Sequence, residues 1–180
     1  MILFLHLMNT GLGPFYDGLA HLFVTPEDLL PVLALAILSG LRGPLWGRLA
    51  LFLLPVAWIA GGAAGRFFHP HWIWPVASAA LTIAIGALAA ADRPLAPAVI
   101  GALTIALGLW HGAWNGIELG RAAAPLVGNL VGVATAVFVV VAIVAALVTA
   151  VRRAWVRIAV RVAGSWIAAA GLFTLGWALR

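Results

Sequence analysis

The sequence predicts an all-α, polytopic transmembrane helix bundle, and three observations predict it. Of the 180 residues, 65% are hydrophobic and 8% charged; the mean hydropathy is +1.15; and most of the charges fall between long apolar runs. A soluble domain of this size has too little interior for so many apolar side chains. The chain is therefore read as one integral membrane domain over residues 1–180.

About 20 apolar residues cross a bilayer core, and six runs approach that length. They extend roughly from Asp28 to Leu41, Pro44 to Gly65, Trp72 to Ala91, Leu95 to Leu119, Pro125 to Val151 and Val160 to Ala178. The first is short unless the residues before it dip into the membrane. The run Ile2 to Met8 lacks a basic flank and a small-x-small cleavage pattern, so it is not read as a signal peptide. It makes a seventh span only if it crosses together with the residues up to Phe23.

The formal net charge of +5 comes from ten arginines with no lysine. Because the arginines sit between apolar spans, they point to membrane orientation and anionic head groups rather than to nucleic acid. With the stretch from Asp17 to Asp28 outside, Arg42, Arg48, Arg93, Arg152, Arg153, Arg157 and Arg161 lie inside, against Arg66, Arg121 and Arg180 outside. This is the arrangement of a multi-pass protein of a bacterial inner membrane. The absence of cysteine removes thiolate chemistry.

Three of the five acidic residues, Asp17, Glu27 and Asp28, cluster with His21 near the N-terminus. Thr25-Pro26-Glu27-Asp28 has the form of a helix start, with Thr25 as N-cap, proline at the first helical position and carboxylates in the positive first turn. The same residues supply the nitrogen and oxygen ligands that divalent transition metals take. The second polar group lies in the fourth span. At 100° per residue Thr104, His111, Asn115 and Glu118 share an arc of about 60°, beside a ridge of Gly101, Gly108, Gly112, Gly116 and Gly120. Glycines spaced by four let helices approach closely, and ionisable groups within spans tend to mark transport pathways.

Other polar residues read as structural. Thr104 and Asn129, taken alone, suggest hydrogen bonds between helices, and Glu118 has Arg121 nearby as a partner. His69 and His71, flanked by Trp72 and Trp74, suggest interfacial anchoring; His6 suggests a local hydrogen bond. Asp92-Arg93-Pro94 reads as a turn with a self-paired charge. Gly61 to Gly65 and Gly128 to Gly132 are further small-residue faces, suited to packing within the chain or to a homo-oligomer. Ser39, Ser78 and Ser165 have no acid-base partner at a suggestive spacing, and there is no phosphate loop; the chain is not read as an enzyme.

Together the two polar groups resemble the HupE/UreJ family of hydrogenase- and urease-associated membrane proteins. That family carries His-Pro-x-x-Gly-x-Asp-His-Leu-Leu, and His21-Leu-Phe-Val-Thr-Pro-Glu-Asp-Leu-Leu30 occupies the same frame. Its later Phe-His-Gly-x-x-His-Gly is similar to Trp110-His111-Gly112-Ala113-Trp114-Asn115-Gly116. Here Glu27 replaces an aspartate, while Asp28 and Asn115 each stand where a histidine is expected. The resemblance implies a permease with nickel or cobalt as transported cation and no permanently bound cofactor, and since nothing in the sequence encodes an ATPase, a channel or gradient-driven carrier is expected. It implies His21 and His111 as ligands, Asp17, Glu27, Asp28 and Glu118 attracting the ion, and Asn115 lending a carbonyl oxygen. The alternative is a non-transporting accessory subunit whose polar residues only pack helices.

Overall fold

Prolines punctuate the chain into helices. The computed structural model describes residues 10–69, 73–122, 124–151 and 153–180; His6, His71, Trp72, Arg152 and the apolar run at residues 2–8 lie outside them. Among the described residues there are seven helices: α1 (Pro14–Val24), α2 (Pro26–Arg42), α3 (Pro44–Gly65), α4 (Ile73–Ala91), α5 (Pro97–Arg121), α6 (Leu126–Thr149) and α7 (Ala154–Ala178). Four of them, α1, α2, α3 and α5, begin with proline, where the ring's fixed φ suits a helix and its missing N–H leaves nothing unpaired. Gly43, ahead of Pro44, has φ 109°, a conformation that side chains with a Cβ rarely take, and it lets the chain reverse between α2 and α3.

Five helices, α3 to α7, are long and apolar enough to cross a membrane; α1 and α2 pass that test only as a pair bent by 75°. This is a multi-pass membrane protein with five spans, or six if the bent pair counts as one, in agreement with the six runs of the sequence. The bend falls at Thr25, because the residue before a proline is driven out of helical backbone. Thr25 has φ −110° and ψ 89°. Its hydroxyl makes no cap bond and is buried without a hydrogen-bond partner, contrary to the expected side-chain cap; its backbone carbonyl accepts from Asp28 and Leu29 instead.

The last span differs from expectation at its start. Expected from Val160, it instead begins at Ala154 and so takes in Arg157 as well as Arg161. Their charges are met at the end of the neighbouring helix α4. Arg161 donates to the carbonyl of Ala90 at 2.8 Å, and Arg157 donates twice to Asp92, at 2.6 and 3.0 Å. Asp92 also pairs with Arg42. The expected self-paired turn at Asp92-Arg93 is therefore not formed: Asp92 takes a left-handed φ of 51° at the end of α4 and turns its carboxylate to α2 and α7. Arg93 contributes its carbonyl, to Arg42 at 2.7 Å.

Helix α2 forms the middle of the bundle, buried along most of its length and touching all six other helices. Around it the helices pair through glycines. A Cβ on Gly112 would stand 2.1 Å from the Trp58 carbonyl oxygen, and one on Gly116 the same distance from that of Gly62. Gly61 and Gly65 of α3 approach the backbone of Leu109 and Ala113 in return. Gly108, Gly112 and Gly116 of the α5 ridge are thus consumed by α3, whereas Gly101 has open space around it and Gly120 has room for a Cβ beside Arg66. Gly18 and Gly132 join α1 to α6 in the same way, and Gly86, Gly164 and Gly171 join α4 to α7. With these faces occupied inside the chain, the glycines no longer argue for a homo-oligomer. Thr104 and Asn129 correct another expectation: each donates to the carbonyl four residues back in its own helix, at 2.7 and 2.8 Å, rather than to a neighbouring helix. Trp74 stacks near Trp110 and Trp114, with ring centres 4.2 and 5.9 Å apart, and Trp110 donates to the Ser78 hydroxyl.

Two predictions follow from this packing. Gly112→Val forces α3 and α5 apart and costs about 1–3 kcal/mol or more, whereas Gly101→Ala leaves the unfolding midpoint in detergent unchanged or slightly raised; equal losses from both would contradict the packing. Burial disfavours the charge of Asp92, but the hydrogen bonds and charge of Arg157, with the charges of Arg42 and Arg161, hold its carboxyl below the ordinary 3.8. The contribution of Asp92 is present above the unfolded-state value and is lost as pH falls through the lower folded one. Asp92→Asn accordingly lowers stability at neutral pH and flattens the loss measured by thermal unfolding below about pH 4.

Candidate functional site

The glycine contact between α3 and α5 sets the floor of a polar cluster in the bundle. It brings the Trp58 backbone against Gly112, so the Trp58 ring lies beside His111, with ring centres 5.8 Å apart. The Trp58 indole N–H donates to the Asn115 carbonyl oxygen at 3.0 Å. Asn115 in turn donates through Nδ2 to Asp28 Oδ2 at 2.9 Å. One turn away on the same face of α5, His111 Nδ1 lies 2.8 Å from the other oxygen, Asp28 Oδ1. The spacing of four between His111 and Asn115 is what lets one helix present both donors to one carboxylate.

Asp28 is the centre of the arrangement and is 1% exposed. It sits in the first turn of α2, where the helix dipole favours a negative charge. His21, on α1 across the 75° bend, places Nε2 3.4 Å from Asp28 Oδ2. Helices α1, α2 and α5 thus meet at one carboxylate, with α3 behind them through Trp58. Among the described residues its ion-pair partners are the two histidines, and no arginine reaches it. With Asp28 ionised, the proton of His111 is assigned to Nδ1, which leaves Nε2 as a lone pair; that atom is buried and has no hydrogen-bond partner.

Beside the cluster lies a small cavity of about 10 Å³, lined by Asp17, His21, Asn115, Glu118 and Asn129 together with apolar neighbours. That volume holds one water-sized species. Two carboxylates, an imidazole and two amides face it, and no arginine lines it. Asp17 is steadied by Thr10, whose backbone N–H and hydroxyl both donate to Oδ1 at 2.6 Å. Among the described residues Glu118 forms no ion pair with Arg121, contrary to expectation.

Comparison with protein-family models, curated proteins and solved structures finds no match for this chain.

The seven residues expected at the site are therefore divided. Asp28, His111, Asn115 and His21 converge; Asp17 and Glu118 border the adjoining cavity, which His21 and Asn115 also line; Glu27 goes elsewhere. Neighbours on a helix point about 100° apart, so Glu27 leaves Asp28 behind and lines a separate cleft between α2, α4 and α7 with Ser78, Thr82 and Trp177. Among the described residues no three histidine, aspartate or glutamate side chains already stand as a group that could hold a metal ion. Trp58 is the member that sequence reasoning missed. Its signal was its place: it lies among Ala57, Gly61 and Gly62 in the middle of a span, not in the interfacial belt where tryptophan usually sits.

Removing members should rank by what they strand. Trp58→Phe strands one acceptor, the Asn115 carbonyl oxygen, and vacates the space of the indole's second ring in the core, together about 1–3 kcal/mol. Asp28→Ala leaves the donors of His111 and Asn115 without an acceptor, about 1–3 kcal/mol for each. Denaturant unfolding in micelles checks the order, and an Asp28→Ala protein as stable as Trp58→Phe would contradict it.

Proposed function

We propose that the protein is a secondary permease of a bacterial inner membrane that passes a divalent transition-metal cation, nickel or cobalt by the family resemblance, and has no enzymatic activity. The observation that carries this reading is electrostatic. A carboxylate buried in an apolar bundle is costly unless its charge is offset, and Asp28 is offset by two neutral-capable imidazoles and an amide rather than by an arginine. The adjoining cavity adds Asp17 and Glu118 with no arginine in its lining. A mobile cation supplies the missing positive charge.

His21 links the two parts, since it lines the cavity and faces Asp28. An ion in the cavity would draw on His21, Asp17, Glu118 and the Asn115 carbonyl. His111 and Asp28 would orient and neutralise from behind, an outer-shell role of the kind that tunes metal sites. Glu27 drops out of this set. So oxygen-rich a ligand group is harder than one of several imidazoles and widens acceptance toward manganese.

The second reading, an accessory subunit with a purely structural polar cluster, draws on one observation: both oxygens of Asp28 already accept hydrogen bonds from α5. Calorimetric titration of the purified protein with nickel, cobalt, manganese and zinc separates the two. The permease reading expects His21→Ala and His111→Ala to bind about 10- to 100-fold more weakly while remaining folded, and Glu27→Gln to bind like wild type. Equal affinity in all of them, or no binding by the wild type, favours the structural reading.

A further inference from the structure

At the opposite end of α2 lies a second polar cavity that the cation site does not use. It has a volume of about 170 Å³ and forms where the last turn of α2, the start of α3, the end of α6 and the first turn of α7 meet. Arg42 and Arg157 both line it. The Arg42 side chain is only 10% exposed. Its two terminal nitrogens are held by Arg93 and Asp92, but its Nε is buried without a hydrogen-bond partner. Arg42 and Arg157 share the single carboxylate of Asp92, so the pair keeps a net positive charge. The N-terminus of α3, at Pro44, adds its dipole of the same sign.

The cavity does not end there. Pro44 and Thr149 also line a larger groove, about 430 Å³, that runs between α3 and α6 past Leu51, Val141 and Ala146. Its lining is apolar apart from Arg48 and Thr149. A basic pocket that opens into an apolar groove between two membrane helices matches an amphiphile with an anionic head and a hydrocarbon tail. Arginine is suited to phosphate because its fork of donors fits the phosphate oxygens, and basic pockets between membrane helices take phospholipid head groups.

We propose that this is a specific site for an anionic phospholipid, with the phosphate held by Arg42 and Arg157, Arg48 flanking it, and one acyl chain lying in the α3–α6 groove.

The test is binding of phosphatidylglycerol, phosphatidylcholine and inorganic phosphate to the full-length protein in detergent, read by native mass spectrometry and by the shift in unfolding midpoint. Phosphatidylglycerol should bind more tightly than phosphatidylcholine and raise the midpoint. Arg157→Gln and Arg48→Gln should each weaken that binding about fivefold. Ala146→Phe keeps every arginine and fills an exposed part of the groove; it should weaken phosphatidylglycerol binding without lowering the lipid-free midpoint. Equal binding of the two lipids, or an Ala146→Phe protein that binds phosphatidylglycerol like wild type, overturns the proposal. Inorganic phosphate that stabilises as well as phosphatidylglycerol also overturns it, in favour of a free-anion site.

Discussion

A single carboxylate disciplines this bundle. Asp28 is buried where water cannot solvate it, and a group of that kind persists only if hydrogen bonds replace its hydration. Three of its neighbours, His21, His111 and Asn115, come from two different helices, and Trp58 on a third fixes the last of these from behind. None of the donors can be placed independently. His111 and Asn115 reach Asp28 because α5 lies close to α3, and that closeness exists because Gly112 and Gly116 carry no side chains at the contact. Backbone packing that uses no side chain at the contact therefore decides where the polar side chains stand.

Much of the frame was legible in the residues. Proline starts, apolar run lengths and glycines spaced by four each have one physical consequence, and the helices from α3 to α6 lie close to where those signals put them. The pairing of the N-terminal acidic stretch with the His111 face was legible too, from the arginine bias that sets both at one end. What the sequence concealed were choices between partners. Asp92 had an arginine next to it in the chain and took two distant ones instead, because a left-handed turn aimed it away from its neighbour. Thr104 and Asn129 had other helices within reach and bonded their own backbone. Glu27 and Asp28 looked like one acidic pair, although adjacent helical positions cannot face the same way.

The two ends of α2 carry opposite chemistry. Near its start, carboxylates and imidazoles gather with no arginine in contact; past its end, arginines gather around one aspartate. Both arrangements are made from the same shortage, since a chain with five acidic residues and ten arginines has few charges to spend in an apolar medium. The central helix therefore separates an end that gathers carboxylates and imidazoles from one that gathers arginines.

The bend at Thr25 has a consequence for how the molecule is made. Helix α1 holds His21, yet it docks chiefly on α6, where Gly18 meets the Asn129 backbone and Gly132 meets Phe15. The ribosome reaches α6 more than a hundred residues after α1, and partners this far apart in sequence assemble late. His111 and Asn115 follow Asp28 by 83 and 87 residues. When α2 first emerges, Asp28 has only His21 near it in sequence, and its full set of donors exists only once α5 has been made.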